Sequence, residues 1–240
     1  MGLAPELVSH GERIVDCSRR QRISAVLTGD IVGYSRTGEP ERQRMLRALK
    51  SSLESLNRLL PGRARVKFQI YRGDSFQAAI LKPELALRAA ILIRAGLRHR
   101  IQPSRRRQAP DCRIAIGIGT IDSLPTSAVS EGDGEAFRRS GPVLDRMKGN
   151  RRLRVESPWP EIDSELNTEL ALVDVVAGRW SPQQAEAVIA QLHGITQADA
   201  ARTMGISQPA IVSRLKVAGG AAIEELCERF EYLVSSRAGT

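Results

Sequence analysis

The stretch Ile195-Thr-Gln-Ala-Asp-Ala-Ala-Arg-Thr-Met-Gly-Ile-Ser-Gln-Pro-Ala-Ile-Val-Ser-Arg-Leu-Lys216 reads as helix, tight turn, helix. Ala200, Ala201 and Met204 put small and apolar side chains on one face of the first helix. Gly205 ends that helix, because glycine accepts the left-handed backbone the turn needs. Ile206 plugs the angle between the helices. Ser207 is an N-cap, and Pro209 falls in the first turn, where a missing N–H costs little. Ile211, Val212 and Leu215 follow at helical spacing. Upstream, Trp180-Ser-Pro-Gln-Gln184 marks the start of a preceding helix.

This is the anatomy of a helix-turn-helix, whose second helix enters the major groove of double-stranded DNA. The expected recognition helix is 208–218. Gln208, Ala210, Ser213 and Arg214 are expected at base edges, and Arg202 and Lys216 at phosphates. Gln197, Ser207 and Pro209 complete the expected DNA-binding set. Residues 181–218 resemble the helix-turn-helix of region 4 of sigma-70-type factors and of bacterial one-component regulators. The match runs through Ser181-Pro-Gln-Gln-Ala-Glu186, Gln197-Ala-Asp-Ala-Ala201 and 205–215.

Composition sets the frame for the rest. The 240 residues are 42% hydrophobic, enough for packed cores, but only 4% aromatic, so aliphatic side chains must fill them. No run approaches a membrane span, and residues 1–22 read as a flexible leader without an apolar signal core. Three isolated cysteines have neither metal-ligand nor disulfide spacing and fit a reducing cytoplasm. The net charge of +9 suits a polyanionic partner. Its placement is uneven. Residues 181–240 hold five basic side chains against six acidic ones, net −1, so the first 180 residues carry +10. Phosphate neutralisation supplies much of DNA affinity, so a neutral helix-turn-helix implies a homodimer or help from the basic part. The segment Arg98-His-Arg-Ile-Gln-Pro-Ser-Arg-Arg-Arg107 is one candidate source, and a solvated loop is the alternative.

Along residues 23–156 the pattern gives strand 23–31, a helix from Pro40 with Met45, Leu49, Leu53 and Leu56 on one face, and strand 66–71. A tight turn at 72–75 leads to strand 76–80, helix 83–98 and strand 114–118. That order, β-α-β-β-α-β, is the ferredoxin-like (split βαβ) plan, in an α+β fold. A helix near 137–148 and a strand at 153–156 extend it. Residues 157–180 read as a linker helix, and 181–240 as an all-α helix-turn-helix domain.

Thr28-Gly-Asp-Ile-Val-Gly-Tyr-Ser35 resembles the first metal motif of class III nucleotidyl cyclases. Tyr71-Arg-Gly-Asp-Ser-Phe76 resembles their hairpin with the second metal aspartate, and Arg113-Ile-Ala-Ile-Gly-Ile-Gly119 their next strand. The resemblance implies that Asp30 and Asp74 hold Mg²⁺ with a nucleotide ligand, hard oxygen ligands for a hard cation. Gly33 and Gly73 would let phosphate approach the backbone, and Arg138 and Arg139 would hold it. The places for the cyclase transition-state asparagine and arginine carry Arg138 and Pro142 instead, which argues against cyclisation.

Thr28–Val32, Gly134-Glu-Ala-Phe-Arg-Arg-Ser-Gly141 and the trailing helix-turn-helix together resemble the SatD family, over about residues 23–218. The expectation is a cytoplasmic DNA-binding transcriptional regulator with a cyclase-like or palm-like domain that senses a nucleotide or mediates dimerisation. The alternative is a divergent nucleotidyl cyclase or nucleotidyltransferase working through Asp30 and Asp74.

Overall fold

The computed structural model describes residues 22–62, 64–71, 73–102, 109–125 and 129–239. The sheet forms around β1 (Ile23–Ile31), whose β-branched and aliphatic residues are buried almost throughout. Such a strand needs cover on both faces. It pairs antiparallel with β3 (Ser75–Ile80) on one side and β4 (Cys112–Thr120) on the other. β2 (Val66–Tyr71) adds antiparallel to β3, and β5 (Leu153–Glu156) adds parallel to β4. The order is β2-β3-β1-β4-β5. The chain is therefore α+β, a five-stranded mixed sheet followed by helices.

Period-2 alternation sorts the sheet's faces. Ala25, Leu27 and Ile31 of β1 enter the main core with α1 (Glu39–Leu59) and α2 (Ala86–Arg100). Val26 points the other way, against Ala79 and Phe137. That second face is covered by α3 (Glu135–Arg146). Gly117 permits this: a Cβ there would stand 2.2 Å from the Ala136 carbonyl oxygen and 2.6 Å from the Ser140 amide. The helix backbone thus lies directly on β4. The Thr28 hydroxyl meets that of Ser140 at 2.8 Å, so two buried polar groups satisfy each other.

The C-terminal helices are α4 (Pro160–Ala177), α5 (Pro182–Leu192), α6 (Gln197–Met204), α7 (Gln208–Ala218) and α8 (Gly220–Ala238). Sequence patterning overlooked α8, although Ile223, Cys227, Phe230 and Val234 form its buried stripe. One continuous core runs from Leu27 and Ile116 of the sheet through Leu166 and Trp180 to Ala187, Ile211 and Phe230. α4 is therefore packed along its length, with Ile162, Leu166, Leu170, Val173 and Ala177 buried.

Ion pairs tie the layers together. Arg94 of α2, fully buried, donates to both carboxylate oxygens of Asp111 at 2.9 Å and to Asp174 of α4 at 2.8 Å. Burial alone would raise the Asp111 carboxyl, but Arg94 and Arg98 outweigh it and hold it below the ordinary carboxylate range. Arg88 of α2 reaches Glu224 at 2.7 Å and Glu231 at 2.6 Å, both on α8. The Trp180 indole donates to the Ala218 carbonyl at 2.8 Å.

Arg98 corrects the expectation of a surface basic segment at 98–107. It is buried and paired with Asp111 at 3.0 Å. Arg100 is exposed and donates to Ser51, so that part of the segment does lie at the surface, while 103–108 lie outside the described residues. So does most of the expected leader, 1–21. No helix among the described residues is long and apolar enough to cross a membrane.

Candidate functional sites

The first candidate is the α6–α7 unit. Thr196 caps α6 by accepting from the Asp199 amide at 3.1 Å. Gly205 ends it at φ 64°, where a β-carbon would be strained. Ser207 occupies the N-cap position of α7 with extended backbone, yet its hydroxyl makes no capping hydrogen bond, contrary to the expectation. The helix instead starts on Pro209 in its first turn. Ala200, Ala201, Ile211, Leu215 and Ala218 are buried, and Met204 and Ile206 half-buried, so the apolar set seats the unit. α5 underlies it, begun by a capping box in which Ser181 and Gln184 satisfy each other's amides.

The outward residues include most of the expected DNA-binding set. Gln197, Arg202, Ser207, Gln208, Pro209, Ser213 and Lys216 are exposed, and Ala210 is half-buried. Arg214 departs from its expected place at the solvent-facing surface. Its guanidinium is half-buried, 3.5 Å from Glu186 of α5, and lies against the Met204 sulfur. Arg202 is exposed but held by Asp199 at 2.8 Å.

The second candidate is the sheet end carrying Asp30 and Asp74. Pairing of β1 with β4 sets Arg113 directly opposite Asp30. Arg113 Nε donates to Asp30 Oδ1 at 2.9 Å and Nη2 to Oδ2, a fork-on-fork pair, while Nη1 donates to the Met147 carbonyl at 3.0 Å. Asp74 stands at the β2–β3 turn beside Gly73 (φ 83°). Burial foremost raises its carboxyl; its own backbone amide opposes this, the Asp30 charge adds to it, and Arg113 opposes it. The two aspartates are thus brought within electrostatic reach.

Arg113 is the residue that motif reading overlooked. Its role was readable only from strand register, since 83 residues separate it from Asp30. It bears directly on the expected Mg²⁺. Both Asp30 oxygens already face a guanidinium, and no group of three or more His, Cys, Asp or Glu side chains suited to a metal occurs among the described residues. A hard cation wants six or more oxygens and would have to displace Arg113. The donor set as folded fits the guanidinium better than the ion.

Arg138 and Arg139 do not converge on this pair. Arg138 binds Asp133 at 2.5 Å and Asp122 at 3.3 Å. Arg139 donates to the Ile118 carbonyl at 2.8 Å and pairs with Glu135 at 2.9 Å. Ile118 lies toward the far end of β4 from Arg113, about 17 Å along the strand at ~3.3 Å per residue. Gly33 (φ 73°) opens the turn after β1, and Tyr34 from that turn lies over Gly73. The four expected nucleotide-binding residues therefore fall at two opposite ends of the sheet.

No family model matches the chain, and no curated protein is similar enough to lend it a function.

Proposed function

We propose that the chain is a DNA-binding transcriptional regulator in which α7 reads the major groove and the sheet domain senses a ligand or carries the dimer contact. The observation that supports this most is the division of α6–α7: a left-handed glycine turn and a buried apolar set on one side, with Gln208, Ser213 and Lys216 exposed together on α7 on the other. The likeness of 28–32, 134–141 and 197–215 to the SatD family points the same way, as does the β-α-β-β-α-β order for a ferredoxin-like, cyclase-like sheet. A homodimer supplies the phosphate contacts that a neutral helix-turn-helix lacks. Its proposed surface is the outer face of α4, where Leu172 is 67% and Val175 54% exposed.

The competing reading is a divergent nucleotidyl cyclase. It asks Asp30 to give up Arg113 for Mg²⁺, and it lacks the transition-state pair. The test is a gel shift with the DNA upstream of the gene. Lys216→Ala should weaken binding to all sequences alike, and Gln208→Ala should cost about 1–3 kcal/mol on the operator alone. An unshifted operator at micromolar protein, together with turnover of ATP or GTP that Asp74→Asn abolishes, replaces this reading with the enzymatic one.

A further inference from the structure

A cavity of about 950 Å³ lies away from α6–α7 and beside the sheet-end candidate, with which it shares the turn at Val32 and Gly33. Its walls come from the turn after β1, the start of α1, the segment entering β4, the turn before β5 and the C-terminal end of α4. That volume is in the range of small-molecule sites and can hold a ligand of nucleotide size. Its lining is strongly basic: Arg36, Arg98, Arg151, Arg152 and Arg179, against Glu41, Asp111 and Asp174. Arg94 behind the wall pairs with both aspartates and offsets one of their two charges, and Arg98 offsets the other, so the rest of the lining stays net basic.

The arginines differ in commitment. Arg36 and Arg179 are exposed and make no ion pair with any described residue. Arg152 spends its side-chain donors only on backbone carbonyls, at Gly149 and Arg151. Arg98 is 96% buried, and its Nε has no hydrogen-bond partner among the described residues. Buried guanidinium donors are normally paired, and leaving one unpaired costs free energy. An excess of guanidinium groups around a cavity, one of them buried with a spare donor, suits an incoming dianion.

From these features we infer that this cavity binds a phosphorylated small molecule, with Arg36, Arg151, Arg152 and Arg179 as its charge contacts. The site is built from α4 residues one turn before Trp180, so an occupant touches the chain where the sheet domain passes into the helix-turn-helix. The inference needs neither Asp30 and Asp74 nor DNA binding.

The experiment is calorimetry of the full chain with inorganic pyrophosphate, ATP and adenosine, each with and without Mg²⁺. Saturable binding of one pyrophosphate or ATP per chain is expected, and no heat from adenosine. Arg36→Gln combined with Arg179→Gln should raise Kd at least about tenfold, since each charged hydrogen bond is worth about that factor or more. Both side chains are exposed, so the fold should survive, as circular dichroism will verify. Absence of saturable binding overturns the inference. So does binding that adenosine competes away as well as ATP does. Binding that needs Mg²⁺, survives the double arginine variant and vanishes in Asp74→Asn belongs to the sheet-end aspartates and also overturns it.

Discussion

Replacing Arg94 with methionine keeps the side chain's length and removes its charge. The native guanidinium satisfies two carboxylates at once, with three hydrogen bonds of 2.8–2.9 Å in a fully buried setting. Removing one partner of a buried pair typically costs about 3–5 kcal/mol, because an uncompensated charge stays behind. Here some compensation remains. Asp111 keeps Arg98 and the Cys112 amide, and Asp174 keeps the amides of Arg152 and Leu153. The lower end of the range, about 3 kcal/mol, is therefore expected. At ~2–4 °C per kcal/mol for a chain of this size, Tm should fall about 6–12 °C.

The loss also has a pH signature. In Arg94→Met both carboxyls lose their main opposing charge, so Asp174, which burial already holds above its ordinary value, rises further and Asp111 moves upward. Protonation then favours the folded state, and the deficit relative to wild type should shrink as pH falls from 7 toward 5. Wild type behaves in the opposite sense at Asp111. Its depressed pKa contributes stability that is full above the unfolded value of about 3.9 and is lost as pH falls through the folded pKa. Thermal melts followed by circular dichroism at pH 7 and 5 read both effects. A Tm loss under about 3 °C at pH 7, or a deficit that grows on acidification, refutes the reasoning. Neutralising Asp174 as well, as Arg94→Met with Asp174→Asn, should recover part of the loss, since Asp111 keeps Arg98 and no unpaired buried carboxylate then remains.

Arg113→Gln should destabilise by about 1–3 kcal/mol, between the exposed and buried limits for an ion pair, and should make Tm newly sensitive to millimolar Mg²⁺; a melt unchanged by Mg²⁺ in this variant sinks the view that Arg113 takes the cation's place. Gly117→Ala should cost about 1–3 kcal/mol by pushing α3 off β4, and urea denaturation showing a neutral substitution would contradict the close approach. Cys112 and Cys227 are buried, and burial raises both thiols, Cys227 up to about 12; mass spectrometry should find both unalkylated by iodoacetamide in the native protein and modified after denaturation. Glu186→Gln should free Arg214 and tighten the operator shift, while Arg214→Ala should weaken it; equal affinities in all three proteins would remove Arg214 from the DNA contact.

Much of this was legible in local chemistry. Alternation located β2, β3 and β4, and the strand at 153–156 was found to the residue. Gly205 and Pro209 marked where α7 begins, and the helix runs over Gln208–Ala218 as expected, because a glycine turn and a first-turn proline constrain the backbone locally. What stayed hidden depends on partners distant in sequence. Arg98 looked like surface charge because Asp111 and α2's neighbours cannot be seen from its own segment. Arg113 looked like a strand opener until register set it against Asp30. Arg138 and Arg139 sit beside a motif on paper, but α3 carries them to the wrong end of the sheet. The arginine-lined cavity joins five separate segments, and of its lining only Gly33 belongs to the site residues expected from sequence.

The tie between α2 and the C-terminal helices has one more consequence. With Arg88 clamped to α8, α5 laid against α2 and the Trp180 indole bonded to the last turn of α7, the proposed reading head has no swivel. In a symmetric pair of such chains, the distance and twist between two recognition helices would be a property of the rigid bodies. Such an assembly works as a calliper set to one gauge. Inserting a single base pair between half-sites moves the second one about 3.4 Å along and roughly one-tenth of a turn around the duplex, out of the grip of a head that cannot follow.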